Sequence, residues 1–181
     1  MQKRNVFTMV LLVLLFSLIS CSKQDQDQSD KEIIVEKQEG DFELKLFSQK
    51  GRYAAHEKIN IYAQVKYIGP KEEVMIEHGG FTPIKYEVVE NKRGITIPTV
   101  ESSILNQTTL KRNQWYTFKF EKSGEVKEDK FHQEYFNEEG FPKGSYTIEA
   151  AFSFQSDEED RYRITGSGAA IVTGSIDIIV D

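Results

Sequence analysis

Between Ile59 and Tyr67 every second residue is apolar: Ile59, Ile61, Ala63, Val65 and Tyr67 alternate with Asn60, Tyr62, Gln64 and Lys66. A period of two puts one set of side chains on each face of an extended strand, whereas a helix needs 3.6. The run is long and clean, so it predicts a central strand with one face turned inward. Tyr146, Ile148, Ala150, Phe152 and Phe154 make a second such run. Shorter ones surround them: Phe42, Leu44 and Leu46; Val74 and Ile76; Ile84, Tyr86 and Val88; Tyr116, Phe118 and Phe120; Ala170 to Val172; Ile176, Ile178 and Val180.

The turn chemistry agrees. Gly51, Gly69-Pro70, Gly79-Gly80 and Pro142-Lys143-Gly144 separate the runs. Asn91-Lys92-Arg93-Gly94 reads as a hairpin loop, with Gly94 suited to positive φ. Pro98 confines the strand that starts at Ile95 and Ile97 to a sheet edge. Residues 101–113 are poorly patterned, with Leu105 and Leu110 the expected buried positions. Only 128–139 reads as helix, because Phe131 and Tyr135 are four apart and Gly140 is a natural stop. About seven to nine short strands with almost no helix predict an all-β fold. The expected form is an immunoglobulin-like antiparallel β-sandwich with one short helix. Gly144-Ser145-Tyr146, leading into a late strand, resembles the tyrosine corner of such sandwiches. A closed lipocalin-like barrel is the alternative, but it would need a second apolar face along the strands.

The N-terminus has a different pattern. Lys3 and Arg4 precede an apolar run from Val6 to Ile19 that only Thr8 and Ser17 interrupt. A transmembrane helix needs about 20 such residues. This run is shorter and gives way to the polar tract 22–31, as a secretory signal peptide does. Leu18-Ile19-Ser20-Cys21 resembles the lipobox of bacterial lipoproteins. That resemblance implies cleavage before Cys21, a diacylglycerol thioether on its sulfur, and residence on the extracytoplasmic face of a cell membrane; a Gram-positive envelope is the expected one, with a Gram-negative envelope left open. Two acyl chains anchor stably where one does so only marginally. The expected domains are therefore a signal peptide over 1–20, a lipidated Cys21 with a flexible linker over 21–40, and a sandwich over 41–181. A short edge strand is expected at 31–37, broken by Gly40.

Cys21 is the single cysteine of the 181-residue chain, so the core must stand without disulfides. Loss of Lys3 and Arg4 with the signal peptide leaves 21 basic against 29 acidic side chains, or −8. Such a body is unsuited to nucleic acid, which needs a cationic face.

Chemistry is sparse. His56, His78 and His132 have no zinc-like spacing, and His132-Gln133-Glu134 lacks the His-Glu-x-x-His arrangement. His56 is expected in a loop and His132 on a helix surface. Gly166-Ser167-Gly168 is too short for a nucleophile elbow. The acidic run 156–160 lacks the ligand spacing and turn glycine of an EF-hand and reads as a hairpin tip. No cofactor and no catalysis are expected. Two residues stand out as candidate binding positions. His78 lies beside Gly79-Gly80, and Trp115 falls in the polar phase of its strand, where it could stack on a ligand or simply cover the sheet.

From Phe42 to Val180 the chain resembles secreted or lipid-anchored Bacillus-type proteins with an immunoglobulin-like domain. The resemblance rests on Phe42-Glu43-Leu44-Lys45-Leu46, Ile59-Asn60-Ile61-Tyr62-Ala63, Tyr67-Ile68-Gly69, Ile76-Glu77-His78-Gly79 and Phe141 to Tyr146. It is more distantly similar to the Bacillus intracellular proteinase inhibitor family. The first resemblance implies a tethered module that binds a protein or wall polymer. The second implies an inhibitor presenting a loop such as Gly79 to Pro83.

Overall fold

The alternating runs fold as strands, and their apolar phase is the inward one. In the computed structural model, which describes residues 31–98, 104–124, 127–154 and 170–181, eleven strands and one helix follow one another. The strands are β1 (Ile33–Glu39), β2 (Phe42–Ser48), β3 (Arg52–Tyr53), β4 (Ile61–Tyr67), β5 (Glu73–Gly79) and β6 (Ile84–Glu90). They continue with β7 (Ile95–Pro98), β8 (Leu105–Lys111), β9 (Trp115–Lys119), β10 (Gly144–Phe154) and β11 (Ala170–Val180). The helix α1 (Lys130–Asn137) lies between β9 and β10. Among the described residues no helix is long and apolar enough to cross a membrane.

The strands form two packed sheets and a ribbon. One sheet has the order β1-β2-β4-β9 and the other β3-β11-β10-β6-β7, while β5 and β8 pair only with each other. All pairings are antiparallel except that of β3 with β11. After β2 the chain thus switches sheets through β3 and returns in β4. With β4 and β9 on one side and β6, β10 and β11 on the other, this is the immunoglobulin-type sandwich that the strand pattern predicts.

The core lies between the sheets. Phe42, Leu44 and Leu46 of β2 and Ala63 and Val65 of β4 face Ile148, Ala150 and Phe152 of β10, all buried. Phe42 packs its ring on Phe152 at 5.2 Å and on Phe154 at 4.8 Å. The Tyr86 hydroxyl of β6 donates to the Phe118 carbonyl of β9 at 2.8 Å, which ties the sheets with a polar bond as well as by packing.

β1 pairs with β2 along its whole length, Ile33 opposite Ser48 and Glu39 opposite Phe42, so residues 33–39, within the stretch expected as linker, are part of the first sheet. It is an edge strand, as its position predicted. The expected signal peptide, Cys21 and the acidic tip 156–160 lie outside the described residues.

The connections group at two ends. At one end, here called the base, lie the β2–β4 connection, the β6–β7 hairpin, α1 and the C-terminus. The side chain of Asp129 caps α1 by accepting from the His132 amide at 3.1 Å. Gly94 in the hairpin has φ +64°, the left-handed conformation that glycine adopts without strain. His132 is buried, not on the helix surface, because its ring folds back to Asp129 with Nδ1 2.6 Å from Oδ2. His56 lies in the loop after β3, its Nε2 3.3 Å from Glu134 Oε1. The opposite end holds the β5–β8 ribbon.

Candidate functional site

The ribbon bridges the two sheets at the far end. Arg112, just after β8, forms a parallel bridge with Tyr67 at the end of β4, and the Asn113 amide donates to the Tyr67 carbonyl at 2.8 Å. On the other side β5 lies beside β10 and leads through residues 80–83 into β6. Its inner face carries Val74, Ile76 and Leu110, all buried, and closes the core. The outer face carries Met75 opposite Thr109, Glu77 opposite Gln107, and Gly79 opposite Leu105.

That outer side, with the loop residues beyond the Gly79–Leu105 pair, carries exposed apolar side chains. Phe81 is 87% exposed, Leu105 63%, Ile104 53% and Met75 51%. Among the described residues six large hydrophobics are exposed, and these are four of them, the others being Ile34 and Ile179. Scattered exposed hydrophobics are ordinary, but a group on one element marks an interaction surface.

The loop that carries Phe81 is held by named bonds. The Gly80 amide donates to the Ile104 carbonyl at 3.0 Å. The Asn106 side-chain amide donates to the Gly80 carbonyl at 2.6 Å. Thr82 Oγ1 donates to the Ile84 carbonyl at 2.9 Å. Gly80 has φ +84°, which any side chain would strain. Phe81 is therefore presented by a fixed turn, so its rotamers, rather than the backbone, remain to be ordered on contact.

His78 lies beneath this surface, not on it. It sits in β5 on the buried face, with Nε2 2.8 Å from Thr108 Oγ1 across the ribbon. Burial pushes its imidazole below the ordinary value, with a smaller opposing contribution from the backbone of Gly79. The ring is therefore neutral at pH 7 and braces the strand pair that carries the exposed end.

Trp115 is elsewhere. It pairs with Lys66 on the outer face of the first sheet and is half-buried. Lys66 Nζ lies 4.5 Å and Lys45 Nζ 4.9 Å from the ring centre, so two ammonium groups take up the indole's π system. Those lysines also pair with Glu43 at 2.5 Å and Glu36 at 2.6 Å. Of the two readings of Trp115, covering the sheet fits this packing better than offering a free platform. The two candidate residues thus lie on different sheets.

Leu105 is exposed, contrary to the expectation of burial, while Leu110 is buried as expected. The difference of five residues puts them in opposite phases of β8, which no alternation in 101–113 signalled.

Two clefts among the described residues lie away from the ribbon. One of about 380 Å³ runs where the free edges of β1 and β11 face each other, lined by Lys37, Glu39, Glu149, Thr173 and Ser175. The other, about 210 Å³, lies beside Trp115, Lys45 and Glu43. Both are polar and carry charges of both signs, without the apolar lining usual for small-molecule sites. Among the described residues no three His, Cys, Asp or Glu side chains group as a metal would require.

No protein-family model matches the chain. A search of curated proteins finds no match either.

Proposed function

We propose that this chain is a lipoprotein held on the extracytoplasmic face of a cell membrane through Cys21, and that its sandwich is a non-catalytic module binding a protein or cell-wall ligand. The lipobox-like Leu18-Ile19-Ser20-Cys21 behind a short apolar run supports the anchor. The single observation that carries the binding role is Phe81, 87% exposed on a turn fixed by three hydrogen bonds, with Ile104 and Leu105 beside it. Large aromatics that fill a partner's pocket dominate many interfaces.

Two experiments test this reading. Cys21→Ser removes the thioether, so the variant is expected in the soluble fraction or uncleaved. A variant that fractionates and migrates like the parent overturns the anchor. For the binding role, the folded body is immobilised and exposed to cell-envelope extract, in parallel with Phe81→Ser and with Lys119→Ser as a control on another face. The expected outcome is a component retained by the parent and the control and lost with Phe81→Ser. Equal retention by all three refutes the role of the ribbon.

A second reading has one observation in its favour. A braced loop holding out a Phe suits an apolar protease specificity pocket of the chymotrypsin kind. As an inhibitor at the cell surface, the protein would slow chymotrypsin turnover of a chromogenic substrate. Cleavage after Phe81 with no slowing ends that reading.

A further inference from the structure

We infer that the folded body stands on its base, with the α1 end toward the membrane and the β5–β8 ribbon as the outward end. This rests on the anchor proposed above. The chain joins the first sheet at Ile33, and Ile33 is opposite Ser48, at the same end as Ile61 of β4. Gly144 opposite Val180 and the helix α1 mark the same end in the second sheet. The exposed loop lies at the other end, where the Ser153 amide donates to the Pro83 carbonyl at 3.1 Å and Ile84 is opposite Phe152.

Between these ends runs β10 from Gly144 to Phe154. Its length is about 34 Å at about 3.4 Å per residue. Cys21 is twelve positions before Ile33. Twelve residues reach about 40 Å when fully drawn out. The base can therefore meet lipid at nearly any extension of this segment. The ribbon can meet lipid only if the body inverts and those twelve residues span close to their covalent limit. Three ion pairs at the base, Lys58 with Glu139 at 2.8 Å, Arg52 with Asp181 at 2.6 Å and Arg93 with Glu90 at 3.3 Å, keep those six groups from adding net charge against the headgroups. Phe81, Ile104 and Leu105 are thus offered to a macromolecule approaching from outside and not to the lipid beneath.

The test uses the lipidated full-length protein in vesicles of phosphatidylcholine and phosphatidylglycerol. Phe81→Cys and Lys92→Cys are each labelled with a donor fluorophore, and energy transfer to an acceptor on the headgroups is measured after flotation. Position 92 lies in the base hairpin and is exposed. The expected result is transfer at least twofold more efficient from position 92 than from position 81. Equal transfer, or the reverse order, in protein that floats with the vesicles overturns the orientation while leaving the anchor standing. Failure to float removes the anchor reading and the orientation with it.

Discussion

The hydroxyl of Tyr146 donates a buried hydrogen bond of 2.6 Å to the carbonyl of Pro142, four residues before it. The bond closes the turn through which the chain leaves α1 and joins β10, the central strand of the second sheet. Tyr146 is fully buried and packs on Phe141 at 4.9 Å. Tyr146→Phe keeps the ring but leaves a buried carbonyl without its donor. The expected cost is about 1–3 kcal/mol. Urea unfolding checks it, with a lower midpoint and an unchanged slope expected.

Glu90 gives an acid-side signature. Its carboxylate is buried, and burial disfavours its charge. The Arg93 and Ser145 amides at 2.7 and 3.3 Å and the Arg93 guanidinium at 3.3 Å outweigh that and hold it below the ordinary 4.5. A carboxyl lowered on folding stabilises fully above its unfolded value, and that stability is lost as pH falls through the lower folded value. Stability should therefore drop as pH falls below about 4.5. In Glu90→Gln this drop should be shallower, measured as thermal midpoint against pH.

Lys122 holds the end of α1. Its ammonium donates to the carbonyls of Tyr135, Glu138 and Gly140 and lies 4.7 Å from the Tyr135 ring centre. Helix C-termini leave such carbonyls without intrahelical partners. Lys122→Met keeps the apolar stem and removes the three donors. A loss of about 1–3 kcal/mol is expected. Amide hydrogen exchange in 130–140 should rise more than exchange in β10.

The two faces of the ribbon should separate stability from binding. Leu110 is fully buried, so Leu110→Ala is expected to cost about 2–5 kcal/mol. Phe81→Ser should change stability by less than about 0.5 kcal/mol. Losing a buried Phe side chain from an interface costs about 1.5–3 kcal/mol. That corresponds to about 10- to 100-fold weaker partner binding. Calorimetry and binding on the same two variants check both halves.

The strands that build the sandwich were legible because their inner and outer faces differ in chemistry. Ile61 to Tyr67 and Tyr146 to Phe154 fold as their alternation predicts, and the Tyr146 bond confirms the tyrosine corner. The ribbon was not legible as a unit, because β5 and β8 pair across 30 residues and nothing local in either announces the other. Its residues mislead when read alone. Phe81, between Gly80 and Pro83, was the available signal, an aromatic among turn formers with nothing nearby to pack on. His132 was misplaced because its bond to Asp129 depends on the cap geometry, which no residue spacing announces. Trp115 was placed in the correct phase, but the lysines that cover it come from β2 and β4.

β11 comes last in order among the described strands, and it holds β10 along eleven residues and β3 through Ile179 and Val180. Arg52 is thus paired with a strand residue, Ile179, more than a hundred positions further on. Pairings this remote make acquisition of structure slow, on the order of milliseconds to seconds. A nascent polypeptide not yet extended through residues 170–180 has no partner for β10 on one flank, so the finished shape must wait for that stretch.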